Sequence, residues 1–86
     1  MAYVYILISL KDNQRYIGST NNLEQRFKRH NQGRVKSTTN RRPLKLYAYQ
    51  VCNNITEAKQ LEYKYKRSRG TFEKAIKQGL LKIIGE

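Results

Sequence analysis

Two short segments near the N-terminus, residues 3–10 and 15–20, are rich in the β-branched and aromatic residues that favour strands. Asp12 and Asn13 lie between them, and both residue types are common in tight turns. A strand, a turn and a second strand in this order predict a β-hairpin. This pairing constrains the fold more than any other feature, because it places a tyrosine from each segment in neighbouring strands.

The register of the hairpin decides whether those tyrosines share a face of the sheet. A tight turn centred on the Asp-Asn pair places Tyr5 opposite Thr20, and it places Ser9 opposite Tyr16. The two tyrosines then share one face, with backbones about 13 Å apart at the usual strand rise, so that their rings border one cleft without touching. The other face is the more aliphatic one and is expected to be covered by helices: it carries Val4, Ile6, Ile8 and Ile17.

Capping residues and periodicity predict the elements that follow. The pair Asn21-Asn22 offers an N-cap for a helix over residues 23–32, and Gly33 can end that helix in a left-handed conformation. Residues 34–43 are polar and basic without a clear period, so we expect an exposed loop there.

The C-terminal half predicts one more strand and two more helices. Residues 44–52 alternate as a strand, residues 56–68 form a helix that begins at its own threonine cap and ends at Gly70, and residues 71–78 form a short last helix. Residues 80–84 are expected to pack back on the body. The expected fold class is α+β, with a small three-stranded antiparallel sheet flanked by helices in the order ββαβαα.

Length and charge limit the function classes. A chain of 86 residues suits a single domain spanning residues 1–86. Its 18 Lys and Arg against 6 Asp and Glu give a formal charge of +12, which favours a polyanionic partner, above all nucleic acid. We do not expect membrane binding, because the basic residues are spread along the whole chain. The single cysteine, Cys52, cannot form an internal disulfide, which favours a cytoplasmic, intracellular setting.

Glu62 is the most informative acid. It shares a face of its predicted helix with Ala58 and Tyr65, so its carboxylate points towards the buried side. The carboxylate either pairs with a basic residue or serves a function such as metal binding. No cluster of acids supports a two-metal site, so at most one metal ion with one protein carboxylate is plausible; Mg²⁺ tolerates this because it keeps most of its waters.

Four further residues could carry chemistry or could serve ordinary roles. Arg26 and His30 lie one above the other on the first predicted helix and can face the hairpin together. Arg26 could stabilise charge in a reaction or simply bind a phosphate, and His30 could take part in catalysis or in packing. Tyr5 and Tyr16 could act as bases in a cationic field or serve only as sheet aromatics.

Taken in order, these residues resemble the GIY-YIG endonuclease family, especially its short stand-alone members similar to the nuclease domain of the bacterial excinuclease. Val4-Tyr5-Ile6 occupies the first motif with valine in place of glycine, and Tyr16-Ile17-Gly18 is the second motif intact. Arg26 and His30 match the helix motif, and Glu62 matches the metal-binding glutamate. Arg41-Arg42-Pro43-Leu44 before the third strand also resembles the short members.

The resemblance implies a DNA endonuclease that uses one Mg²⁺ or Mn²⁺ ion, with Glu62 holding the metal. It implies that Arg26 stabilises phosphate charge, that Tyr5 or Tyr16 acts as the base, and that His30 orients a tyrosine or contacts phosphate. Further nucleic-acid contacts are expected from Gly18, Lys36, Arg41 and Arg42.

Two functions remain open at this point. The chain either hydrolyses DNA, in a structure-directed way suited to repair or recombination, or binds nucleic acid as a basic module without cutting it. A recruiting protein or self-association could supply specificity in either case.

Overall fold

The computed structural model describes residues 1–84. Its elements in chain order are β1 (Ala2–Ser9), β2 (Arg15–Thr20), α1 (Leu23–Asn31), a 3₁₀ turn (Thr39–Arg41), β3 (Leu44–Cys52), α2 (Ile55–Arg67), α3 (Arg69–Lys77) and β4 (Lys82–Ile83). The strands form one antiparallel sheet in the order β2-β1-β3-β4. Within residues 1–84, no helix is both long enough and apolar enough to cross a bilayer.

The prediction of a three-stranded sheet was wrong, because a fourth strand is present. Ile83 of β4 pairs with Ala48 and Lys82 pairs with Tyr49, both on β3. The expected packing of this region on the body comes from Leu81, which is 4% exposed. A strand of two exposed residues is too short to show a period of two, so the sequence pattern does not reveal it. The α+β class holds, and the order becomes ββαβααβ.

The hairpin forms as predicted, but its register is shifted by two residues. Tyr5 pairs with Gly18, and Leu7 pairs with Tyr16. The turn is centred one residue earlier than expected, between Lys11 and Asp12, and there the buried Ser9 accepts hydrogen bonds at Oγ from the backbone N–H groups of both residues. A shift of two keeps both tyrosines on one face, as expected.

The shift also brings the tyrosines closer together than the sequence indicated. The ring centroids of Tyr5 and Tyr16 are 6.3 Å apart, which is within the range of aromatic pairs. The prediction that the rings border a cleft without touching was therefore wrong, and the two phenols form one cluster.

Helices cover both faces of the sheet. The aliphatic face packs under α2 and α3, where Val4 and Ile6 meet Ala58 and Phe72 in one core cluster. The tyrosine face is covered by α1, which contributes partly buried apolar side chains to a second core cluster around Tyr5. The sheet is therefore packed against helices on both of its faces.

Hydrogen bonds at the helix N-termini fix where α1, α2 and α3 begin. Asn22 caps α1 as predicted, because its side chain accepts from the backbone N–H of Gln25. Asn54 caps α2 and Ser68 caps α3, so both of these helices begin earlier than the sequence pattern indicated.

The loop of residues 34–43 is more ordered than expected. Thr38 is 0% exposed and Val35 is 9% exposed, and the 3₁₀ turn follows directly. Thr38 is buried because it hydrogen-bonds to His30 of α1. The loop therefore belongs to the site as well as to the surface.

Candidate active site

A chain of hydrogen bonds begins at Arg26 and passes through Tyr5. The Tyr5 hydroxyl lies 3.3 Å from Arg26 Nε and 2.9 Å from His30 Nε2. Since the Arg26 Nε–H only donates, the Tyr5 oxygen accepts from it, and the phenolic proton points to His30 Nε2. Tyr5 and His30 are each 0% exposed, so the hydrogen bond between them is shielded from solvent.

The His30 ring is neutral, as this series of hydrogen bonds requires. Burial and the neighbouring Arg26 charge lower the pKa of His30 from 6.5 to about 4. With Nε2 accepting from Tyr5, the ring proton is on Nδ1, which lies 2.8 Å from Thr38 Oγ1. The Thr38 hydroxyl in turn donates to the carbonyl of Val35 at 3.4 Å. The hydrogen bonds thus all run in one direction, from α1 into the loop.

Gly18 allows the Tyr5 side chain to reach this position. A Cβ atom on Gly18 would lie 2.5 Å from the Tyr5 hydroxyl oxygen and 2.6 Å from the ring carbon that bears it. No real contact is that short, so the ring crosses β2 only where a side chain is missing. Gly18 is buried beneath Tyr5, which gives it a packing role in the free protein.

Tyr16 is the more accessible of the two phenols. It is partly exposed, and its ring centroid lies 5.0 Å from that of His30. The Lys66 ammonium of α2 lies 5.7 Å from the Tyr16 ring centroid. Tyr16 therefore lies between the buried His30 ring and the exposed ammonium of Lys66.

Arg26 supplies a fixed positive charge at the same place. Its hydrogen bond to Tyr5 is the main factor that raises the pKa of the guanidinium, and Tyr16 contributes less. The side chain is partly exposed. Burial raises the pKa of Tyr5 to about 12, and the bond from Arg26 opposes this only in part.

Glu62 lies beside β2, held from both sides. Ser19 Oγ donates to its Oε1 at 2.5 Å, and Lys66 Nζ lies 2.6 Å from its Oε2. The Glu62 side chain is 22% exposed. The ion pair anticipated as the alternative for this acid is therefore present, and it lies next to the hairpin rather than away from it.

The oxygen atoms around Glu62 fit one hard cation and not two. Among residues 1–84, no group of three or more His, Cys, Asp or Glu side chains could hold a metal. Glu62 and the Ser19 hydroxyl offer one carboxylate and one neutral oxygen, which suits Mg²⁺ because it takes its remaining ligands from water and phosphate. The Lys66 ammonium demonstrates that Oε2 already accepts a positive charge.

The basic residues expected to contact nucleic acid lie on the loop and have different surroundings. Arg41 donates from Nη2 to the carbonyl of Arg15 at 3.2 Å, so it ties the loop to the hairpin. Arg42 donates from Nε to the carbonyl of Thr39 at 2.9 Å. Lys36 is exposed.

Sequence reasoning missed three residues that the structure brings to the site: Ser19, Thr38 and Lys66. Lys66 was detectable, because it follows Glu62 by four residues on a helix and such pairs commonly meet. Ser19 is next to Gly18 on β2, but only the packing of α2 shows that it faces Glu62. Thr38 carried no signal, since it lies in a stretch with no period.

Comparisons with known proteins identify the family of this sequence. Residues 1–78 match the family model described as the GIY-YIG catalytic domain. A UPF0213 protein of Clostridium perfringens is 47% identical over 68 residues, which cover 78% of this chain and 72% of the relative. A UPF0213 protein of Bacillus licheniformis is 41% identical over 78 residues, covering 88% of this chain and 79% of the relative.

The similarity extends over nearly the full length in a third relative. A UPF0213 protein of Staphylococcus haemolyticus is 40% identical over 85 residues, which cover 98% of this chain and 94% of the relative. No solved structure gives a significant match. The chain therefore belongs to the GIY-YIG nuclease family, as the tyrosines and glycine of its hairpin suggested, and its relatives are small UPF0213 members of that family.

Proposed function

We propose that this chain is a DNA endonuclease that requires one divalent metal ion and hydrolyses a phosphodiester bond beside Tyr16. The observation that carries the proposal is the convergence of two clusters at one hairpin. The Lys66 ammonium reaches both the Glu62 carboxylate and the Tyr16 ring, while Tyr16 packs against the Tyr5–His30 pair. A base, a cation and a metal-binding acid thus adjoin one surface.

Arg26 is proposed to bind the phosphate that is attacked. Its guanidinium is partly exposed, and the Tyr5 hydroxyl fixes its Nε. A guanidinium held in this way stabilises the negative charge that develops on the phosphate without having to reorganise. An arginine is charged at any working pH, and the raised pKa of Arg26 acts in the same direction.

The two tyrosines are proposed to have separate roles. Tyr5 is 0% exposed, its pKa is raised to about 12, and its hydroxyl already has two partners, so it positions Arg26 and does not touch water. Tyr16 is partly exposed between Lys66 and the buried cluster. Tyr16 is therefore the side chain that can act as the base: after its own proton has passed to solvent, the phenolate accepts one from the attacking water, in the positive field of its neighbours.

His30 is proposed to act as a positioning residue. Its neutral ring accepts from Tyr5 and donates to Thr38, so it sets the direction in which the Tyr5 hydroxyl can accept from Arg26. The ring also packs against Tyr16, with centroids 5.0 Å apart. His30 thereby holds both tyrosines in place.

Glu62, together with the Ser19 hydroxyl, is proposed to hold one Mg²⁺ or Mn²⁺ ion. When bound, such an ion supplies positive charge to the phosphate and its leaving oxygen. Lys66 has to release Oε2 for this, which its 49% exposed side chain can do by turning into solvent or towards the substrate.

The alternative function, a basic module that binds DNA without cutting, is favoured by one observation. The Glu62–Lys66 ion pair satisfies the carboxylate within the chain, at 2.6 Å. In this alternative the pair is permanent, and the tyrosines only pack or stack.

Cleavage assays separate the two functions. Plasmid DNA and branched or nicked oligonucleotides would be incubated with and without Mg²⁺, using the wild-type chain and the variants Arg26→Ala and Glu62→Ala. The endonuclease predicts magnesium-dependent product that both substitutions abolish, with Lys64→Ala as the control that removes one cation from α2. Binding without product on every substrate would support the non-catalytic module. A stronger cut of branched or nicked DNA would support a structure-directed role in repair or recombination.

A further inference from the structure

A cleft of about 540 Å³ lies next to the candidate site, between β2 and the paired helices α2 and α3. Tyr16 and Lys66, which already border the candidate site, also form a wall of this cleft. The cleft continues past them to Arg15 and to Arg69 at the start of α3. It is therefore an extension of the reaction surface rather than a separate pocket elsewhere.

The cleft is cationic. Arg15, Lys66 and Arg69 are all exposed, and none of the described residues that line it is acidic. Lys66 is paired with Glu62, which does not line the cleft. The charges of Arg15 and Arg69 keep the surface of the cleft positive. A concave surface of one sign attracts a ligand of the opposite sign, so the occupant carries negative charge.

The base of the cleft is aromatic and orders one of these cations. The Phe72 ring packs edge-on against Tyr65, with centroids 5.7 Å apart, and both residues are buried. The guanidinium carbon of Arg15 lies 5.2 Å from the Phe72 ring centroid. A guanidinium held over a ring keeps its outer face available for a base to stack on or for a phosphate to bind.

We propose that this cleft binds one unpaired nucleotide of the DNA strand adjoining the bond that is cut, an inference that rests on the proposed function. Lys66 and Arg69 bind its phosphate, and the base stacks against the Arg15 guanidinium. The volume suits one nucleotide and not a duplex, since small-ligand sites occupy about 300–1,000 Å³. The cleft would then favour DNA that offers a flap or a frayed end beside the cut.

Paired charge-removing variants test the phosphate contacts. Lys66→Ala/Arg69→Ala removes two cations from the cleft, and Lys64→Ala/Arg67→Ala removes the same charges from another face of α2, where both control residues line a different depression. Binding would be measured without divalent metal by fluorescence anisotropy, on a duplex with a short single-stranded flap and on the same duplex without it. Arg69→Ala alone leaves the Glu62–Lys66 pair intact and serves as the cleaner single variant.

The expected result is a loss specific to the cleft and to the flap. The cleft variant should bind the flap DNA about tenfold more weakly than the control variant, with a smaller loss on the blunt duplex. Its slope of log K against log salt should fall by about 0.7 for each lost contact to the single strand. Equal losses for both double variants, or equal losses on both DNAs, would overturn the proposal.

A base analogue tests the stacking contact. 2-Aminopurine at the first unpaired position should lose fluorescence when the wild-type chain binds, because stacking quenches it. Arg15→Lys keeps the charge but loses the planar group, so it should keep most of the affinity and lose most of the quenching. A quenching signal unchanged by Arg15→Lys would place the base elsewhere.

These outcomes are independent of whether the wild-type chain cuts DNA. If the wild type cleaves flap DNA but the cleft and control variants bind alike, the cleft proposal fails and the endonuclease proposal stands. If the wild type cleaves nothing while the contrast between the variants persists, the endonuclease fails and the nucleotide site remains. A cleft that bound only free phosphate or an acidic peptide, with no contrast on DNA, would also overturn the assignment.

Discussion

Tyr5 and His30 are joined by a 2.9 Å hydrogen bond between two side chains that are each 0% exposed. The same Tyr5 oxygen accepts from Arg26 Nε, so one phenol connects the buried imidazole ring to the partly exposed guanidinium. Removing this hydroxyl would leave two polar atoms without their partner. Effects of substitutions on the stability of the fold can therefore be measured separately from their effects on the rate of cleavage.

Tyr5→Phe is expected to destabilise the fold by about 1–3 kcal/mol, because a buried ring nitrogen would lose its hydrogen bond. The free energy of unfolding from urea titrations measures this. Tyr63→Phe is the matched control, since Tyr63 is 63% exposed, and it should change stability by less than about 0.5 kcal/mol. Equal effects of the two substitutions would contradict a buried hydrogen bond between Tyr5 and His30.

Tyr16→Phe is expected to lower the rate of cleavage far more than it lowers the stability of the fold. Tyr16 is partly exposed, so losing its hydroxyl should cost little stability, yet kcat should fall by about 10²–10⁴ if it is the base. Single-turnover cleavage and urea unfolding on the same preparations make the comparison with Tyr5→Phe. A Tyr16→Phe enzyme with wild-type kcat would remove Tyr16 from the proposed role.

Stability should depend on pH through His30. Its pKa falls from 6.5 to about 4 on folding, so the unfolded chain binds a proton that the folded chain does not take up until much lower pH. The stabilisation is fully present above pH 6.5 and is lost as pH falls towards 4. Between pH values above 6.5 and below 4, the free energy of unfolding should therefore fall by roughly 3 kcal/mol, at 1.36 kcal/mol per pKa unit.

His30→Gln provides the test of this pH dependence. A glutamine cannot titrate, so unfolding free energies of the variant should lose the part of the slope between pH 6.5 and 4 that the wild type shows. Parallel curves for wild type and variant would mean that folding does not change the pKa of His30.

Gly18→Ala should destabilise the fold by about 1–3 kcal/mol, because its Cβ would lie 2.5 Å from the Tyr5 oxygen. Gly70→Ala is the control within the same chain. Its nearest neighbour would be 3.8 Å away and it lies in α3, so alanine there should leave stability unchanged or raise it by up to about 1 kcal/mol. Thermal unfolding of both variants would show the difference in sign.

Lys66→Met should strengthen binding of a divalent cation, because it removes an ammonium that competes for Glu62 Oε2 at 2.6 Å. We expect about a two- to fivefold lower Kd for Mn²⁺, measured by electron paramagnetic resonance, since exposed pairs of this kind contribute up to about 1 kcal/mol. Lys64→Met should have no such effect, and Ser19→Ala should weaken binding. Unchanged Mn²⁺ affinity in Lys66→Met would separate the ion pair from the metal site.

Much of this fold could be predicted from local chemistry. The hairpin, the Asn22 cap and the limits of β3 depend on neighbouring residues, and all three agree with the structure. The class of the sheet followed from the alternation of apolar residues along its longer strands. β4 did not, because a pairing of two residues depends on where β3 already lies.

The sequence pointed to some of the residues that meet at the hairpin but not to their arrangement. Tyr5, Arg26 and His30 were named from the sequence, but their hydrogen bonds depend on the hairpin register, and the turn that sets this register is centred one residue earlier than expected. Thr38 completes the chain from a loop that has no sequence pattern. Contacts between distant segments arise only once the layers have packed.

The one-way order of donors from Arg26 to Val35 leaves no room for an extra proton. If His30 gained one at Nε2, that atom and Arg26 Nε would both present hydrogens to the Tyr5 oxygen. The phenolic hydrogen would then have to leave its acceptor within a closed interior. Acid would therefore disturb α1, β1 and the loop together, which should appear as faster backbone amide exchange at residues 34–39 as the pH falls towards 4.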